Sequence, residues 1–95
     1  MSAYVIFTRE RTPDPKEMEL YVKAAAAGFA GHIVKVLASH TYFEVIEGPA
    51  EESMVLLEFP SMDQAKTWYR SPAYDEALQH RLKGGEYRCV MVEGN

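Results

Sequence analysis

Apolar residues along this chain fall into two kinds of run. Short, strand-length segments are apolar on both alternating sets of positions, and two longer segments are apolar at helical spacing. Ala3 to Thr8 is the first strand, with Val5 and Phe7 on one face and Tyr4 and Ile6 on the other. Thr12-Pro13-Asp14-Pro15 breaks it. Asp14 is placed to cap a helix, Pro15 suits its first position, and Glu17 completes a capping-box spacing. Met18, Tyr21, Val22, Ala25 and Phe29 then share a helical face. The alanines from Ala24 to Ala27 favour helix and permit close packing, and Gly28 or Gly31 ends the run.

His32 to Ala38 alternates as a strand, Ser39-His40 reads as a turn, and Thr41 to Glu47 is a further strand candidate. The two runs form either a hairpin or one long bent strand. Gly48 to Glu52 is a loop, and Met54 to Phe59 is a strand stopped by Pro60. Ser61 with Gln64 three residues on starts a helix whose apolar side holds Ala65, Trp68 and Tyr69. Ser71-Pro72 interrupts it and opens a second piece, lined on one side by Tyr74, Ala77, Leu78, Arg81 and Leu82. Gly84-Gly85 ends that piece, and Tyr87 to Val92 is the last strand.

This order predicts an α+β fold over residues 1–95 as one domain: a ferredoxin-like βαββαβ unit with helices on one face of an antiparallel sheet. Such a sheet should alternate apolar and polar residues if its other face is wet. Here Tyr87, Cys89 and Met91 share one side of the last strand while Val90 and Val92 share the other. Each exposed apolar residue would add about 1.5–3 kcal/mol if buried. A second copy packed sheet on sheet, with two-fold symmetry, is the expected cover. The alternative is a lone sheet with an aggregation-prone back.

Ten Lys and Arg against 14 Asp and Glu give a net charge of −4. That balance disfavours nucleic-acid and anionic-membrane partners. No stretch approaches the ~20 apolar residues of a membrane span, and the start of the chain lacks a basic leader. A cytoplasmic protein is expected. Cys89 has no partner for an internal disulfide and is expected as a small buried hydrophobe, with Arg88 pointing to the opposite face. His32, His40 and His80 show no metal-ligand spacing, and no phosphate loop, dinucleotide fingerprint or nucleophile elbow occurs. Neither a metal nor another cofactor is expected.

Two clusters offer chemistry. His40 lies beside Tyr42 and Glu44, which share a strand face, so the group is either a general base near a carboxylate or an exposed polar hairpin. Trp68, Tyr69 and Tyr74 are either core or the aromatic wall of a ligand site. Arg81 shares a helix face with Tyr74, Ala77 and Leu78, and a buried guanidinium there needs an acceptor. That acceptor is Glu47 or Glu58, or else a ligand carboxylate or enolate.

The run Phe59-Pro60-Ser61-Met62-Asp63-Gln64-Ala65, then Trp68-Tyr69-Arg70-Ser71-Pro72, Tyr74 and Arg81, resembles the bacterial DUF1330 family. Val45-Ile46-Glu47-Gly48 and Val90-Met91-Val92-Glu93-Gly94 are similar to that family's central and terminal segments. Departures fall in the middle: Lys35 to Thr41 replaces a shorter R-G-G-like turn, and only Pro49 remains of a loop that often holds a tryptophan and prolines. The resemblance implies a dimeric α/β barrel, two ferredoxin-like subunits joined through their sheets. The wider superfamily includes cofactor-free monooxygenases, lactone isomerases and simple ligand binders, so it implies no single reaction.

Two functions follow as expectations. One is a small cofactor-independent enzyme moving a proton on a small organic molecule, as an isomerase, dehydratase, cyclase or monooxygenase would. In it, His40 or His32 moves the proton and Arg81 or Tyr42 steadies an oxyanion, while Trp68, Tyr69, Tyr74 and Glu44 hold the substrate. The other is a non-catalytic dimeric ligand-binding or stress-related protein.

Overall fold

The structure, a computed structural model, describes residues 1–95. In chain order the elements are β1 (Ala3–Arg11), α1 (Pro15–Ala27), β2 (Lys35–Ser39), β3 (Ser53–Phe59), α2 (Met62–Tyr69), α3 (Pro72–Gly84) and β4 (Glu86–Glu93). The helix starts follow local chemistry. Asp14 Oδ1 accepts from the Lys16 and Glu17 amides at 3.2 and 3.3 Å. Ser61 Oγ accepts from the Gln64 amide at 3.2 Å, and Ser71 Oγ from the Tyr74 amide at 3.3 Å. Each side-chain oxygen satisfies a donor that the first turn leaves open. Of the two glycines expected to end α1, Gly28 is the cap, and Gly31 follows with φ +82.

The sheet order is β2-β3-β1-β4, with every pair antiparallel. This is the ferredoxin-like arrangement expected from the sequence. Residues 41–47 depart from expectation, forming neither hairpin nor bent strand. β2 stops at Ser39, and none of the backbone hydrogen bonds outside helices and strands involves residues 41–51. Their alternation favours an extended chain, but a strand forms only where its amides and carbonyls pair with a sheet edge, and these residues pair with none.

Register sorts the strand residues by face. Ala3, Val5 and Phe7 oppose Phe59, Leu57 and Val55 on one side and Glu93, Met91 and Cys89 on the other. Most of these face the helices; Trp68, Tyr74 and Ala77 complete that core. The opposite face carries Tyr4, Ile6, Met54, Leu56, Val90 and Val92. Val90 and Val92 are 55% and 45% exposed. The molecule is a slab 34 × 32 × 17 Å with helices on one side only. Leu82, expected on the packed side of α3, is exposed.

α1 and α3 run together. Gly84 permits this, because a Cβ at that position would lie 2.8 Å from the Met18 backbone nitrogen. Gly84→Ala is therefore expected to cost about 1–3 kcal/mol by overpacking backbone that cannot yield, read as a lower urea midpoint. The tie is reinforced by His80 Nδ1 at 2.7 Å from Glu17 Oε2.

Candidate functional site

α1 packs on α3 and stands off the sheet: no Cα of α1 comes within 8 Å of a strand Cα. Beneath it is a cavity of about 200 Å³. α1 supplies Tyr21, Val22 and Ala25 to its wall, the turn after it supplies Phe29, the sheet supplies Phe7, Val55, Leu57 and Tyr87, and Trp68 and Tyr74 close the back. The small side chains of the alanine run leave this space open. Trp68 is the hub of the aromatic wall. Its ring stacks on Phe29 at 5.7 Å between centroids and lies 5.2 Å from Phe59 and 4.3 Å from Tyr74.

His40 is at the rim with Ser39. It has φ +55, an uncommon conformation for a side-chain-bearing residue. Two bonds hold it there: its amide donates to Met54 O at 3.2 Å, and Nδ1 lies 2.8 Å from Oγ of buried Ser53. With Nδ1 engaged, Nε2 is the nitrogen left for a ligand.

Deeper in the wall, the Tyr21 and Tyr74 hydroxyls are 2.9 Å apart. Burial pushes the Tyr21 phenol up to about 12 and pushes Tyr74 up as well. Behind them Arg81 is 5% exposed. Its guanidinium carbon lies 5.1 Å from the Phe7 ring centroid and 5.2 Å from that of Tyr87, and Nη2 donates to Tyr69 Oη at 3.2 Å. Nε and Nη1 have no hydrogen-bond partner. Burial pulls the Arg81 pKa down, but Tyr74, Tyr21, Tyr69 and Cys89 around it raise it overall. No carboxylate pairs with it. The expected acceptors fail for a positional reason: Glu58 pairs in register with Tyr4 on the opposite sheet face, and Glu47 is exposed in the coil.

Other expected site residues are dispersed. Tyr42 is 84% exposed and Glu44 is exposed, both in coil outside the cavity wall. The Glu44 carboxylate, as hydrogen-bond acceptor, pushes the Tyr42 phenol up. The strand face meant to aim the two at His40 does not form. His32 lines a separate depression with Phe59, Gln64 and Thr67. Tyr69 is a step removed from the cavity, packed behind its wall with its ring centroid 5.2 Å from that of Tyr74 and its hydroxyl accepting from Arg81. Cys89 is half-buried on the helix side, its thiol pushed up by burial, while Arg88 pairs with Glu10 at 2.8 Å. No three His, Cys, Asp or Glu side chains converge as a metal site, and no helix is long and apolar enough to cross a membrane.

Tyr21, Phe7, Phe29 and Tyr87 belong to the site but read in the sequence only as strand and helix packing. The signal for Tyr21 was its hydroxyl: a tyrosine on the buried face of a helix needs a polar partner inside the core.

The family described as "Domain of unknown function (DUF1330)" matches residues 2–95. No protein of curated function matches the sequence. Among solved structures, a protein of unknown function from Rhodopseudomonas palustris, RPA0582, superposes with TM-score 0.74 at 19% identity, covering 99% of this chain and 82% of that one. A dimeric ferredoxin-like protein of unknown function from Bacteroides fragilis gives 0.61 at 17%, covering 98% and 96%. SnoaB, a cofactor-independent oxygenase from Streptomyces nogalater, gives 0.64 at 12%, covering 99% and 92%. At these identities the likeness is one of fold.

Proposed function

This chain belongs to the DUF1330 family, and from its cavity we propose a small cofactor-independent enzyme that moves a proton on a small, flat organic molecule. The observation that carries this reading is His40, pinned by Ser53 and Met54 at the rim of an aromatic-walled cavity. A strained residue held by two bonds at a cavity mouth is more than packing requires. Trp68 and Tyr74 hold the molecule by its faces. Nε2 of His40 takes a proton from a C–H or O–H bond, and the electron pair stays on the ligand as an enolate or phenolate. Isomerisation, dehydration and cyclisation each need that one proton moved; oxygenation adds dioxygen as co-reactant. Use of the same fold by the Streptomyces oxygenase supports the class without naming the substrate. We take the working unit to be a cytoplasmic homodimer of this one domain, with the apolar sheet faces together; the description of the Bacteroides fragilis protein as dimeric supports the homodimer.

A second reading is binding without turnover. Of the 14 residues lining the cavity, 12 are hydrophobic, which leaves Ser39 and His40 as its only polar side chains. The test is conversion of a panel of small acids, lactones and phenols across pH. His40→Gln is expected to lower turnover about 100-fold while leaving the affinity for the same compound in place. Unchanged turnover would remove His40 from the mechanism. Binding without conversion across the whole panel would select the second reading.

A further inference from the structure

We propose that the Tyr21–Tyr74 hydroxyl pair, with Arg81 behind it, is an oxyanion site, so that the ligand of this cavity carries a phenolate, enolate or carboxylate oxygen. This deepens the cavity reading and rests on it. The argument begins with a count of donors. Two phenols carry two O–H groups, and the hydrogen bond between them uses one. The other has no acceptor in the protein, though both residues are buried and line the cavity. The second observation is Arg81, 95% buried with two nitrogens unpartnered and no carboxylate pairing with it.

An unpaired buried charge is destabilising unless something nearby answers it. The Phe7 and Tyr87 rings offset part of this through cation–π contact. What they cannot supply is negative charge. The groups around Arg81 do not supply it either: burial holds Tyr21, Tyr74 and the Cys89 thiol in their neutral forms at neutral pH. The core therefore keeps one positive charge beside a cavity with an idle O–H donor in its wall. An anionic oxygen accepting from that donor would complete both. Arg81 acts through the phenols, as a positioning residue that polarises them.

The test compares 4-nitrophenol, whose phenol and phenolate absorb at different wavelengths, with nitrobenzene, which lacks the oxygen. Near the free probe's pKa, the protein is expected to bind 4-nitrophenol about tenfold or more tighter than nitrobenzene and to shift its spectrum toward phenolate. Arg81→Met and the double variant Tyr21→Phe/Tyr74→Phe are each expected to abolish the preference and the shift while nitrobenzene still binds, which also reports that the variants are folded. Arg81→Lys should restore part of the shift. Including 4-nitrobenzoate distinguishes the source: tighter binding of it points to a carboxylate ligand, and weaker binding to a phenolate or enolate. Saturable nitrobenzene binding with 4-nitrophenol bound as the neutral phenol would overturn the oxyanion site alone. A shift that survives both variants would also overturn it. Failure of both probes to bind would instead remove the cavity reading.

Discussion

Trp68→Ala is expected to destabilise the protein by about 3–5 kcal/mol, the range for deleting a large aromatic from a core. Trp68 is 1% exposed and touches the rings of Phe29, Phe59 and Tyr74. Few residues of so small a chain are fully buried, so little else can relax into the space. Marginal domains hold roughly 5–15 kcal/mol in total, and this one substitution removes a large part of that. Trp68→Phe separates ring packing from hydrogen bonding. The indole Nε1–H is buried with no acceptor, so phenylalanine removes an unsatisfied donor while keeping most of the stacking. Its cost should be well under half that of alanine, compared by urea unfolding at one temperature. Equal costs would mean that the second ring of the indole, which phenylalanine lacks, carries the packing of the wall.

The contrast between Trp68 and Tyr21 marks what could be read from the sequence. Helix starts at Asp14, Ser61 and Ser71 were legible because each depends on an oxygen within three residues of the amide it serves. Strand faces were legible because alternation is also local. The 41–47 segment has a strand's alternation, yet it lies as coil because pairing is a property of the edge it meets. The site was legible only where it coincided with local pattern. His40 stood out as a polar turn and Arg81 as a charge on an apolar helix face. The Tyr21–Tyr74 contact spans 53 residues, and the choice between a surface glutamate and no partner at all for Arg81 turned on which sheet face Glu58 occupies. Neither is encoded in any short window.

Ile6→Asp is expected to reduce the proposed dimer to a monomer. Ile6 sits in the middle of the uncovered sheet face, paired in register with Leu56 on one side and Val90 on the other. A monomer of 10.8 kDa should expose about 5,500 Å², whereas this chain exposes 6137 Å². An excess of about 600 Å² approaches the roughly 800 Å² that each partner contributes to a standard interface. The slab is only 17 Å thick, and a second sheet packed about 10 Å away would bury Tyr4, Ile6, Leu56 and Val92 from both copies. Two-fold symmetry places every substitution in the interface twice. Stranding one unpaired carboxylate there costs about 3 kcal/mol or more, so two weaken association by roughly 10⁴-fold. Leu82→Asp, on the exposed side of α3, introduces the same charge off that face and should leave the assembly unchanged. Sedimentation at micromolar concentration reads all three proteins. A wild-type chain that runs as a stable monomer would leave the sheet face without its proposed cover, and a dimer that survives Ile6→Asp would place the contact elsewhere, with the β2 edge and the exposed Tyr42 and Ile46 beyond it as the next surface to charge.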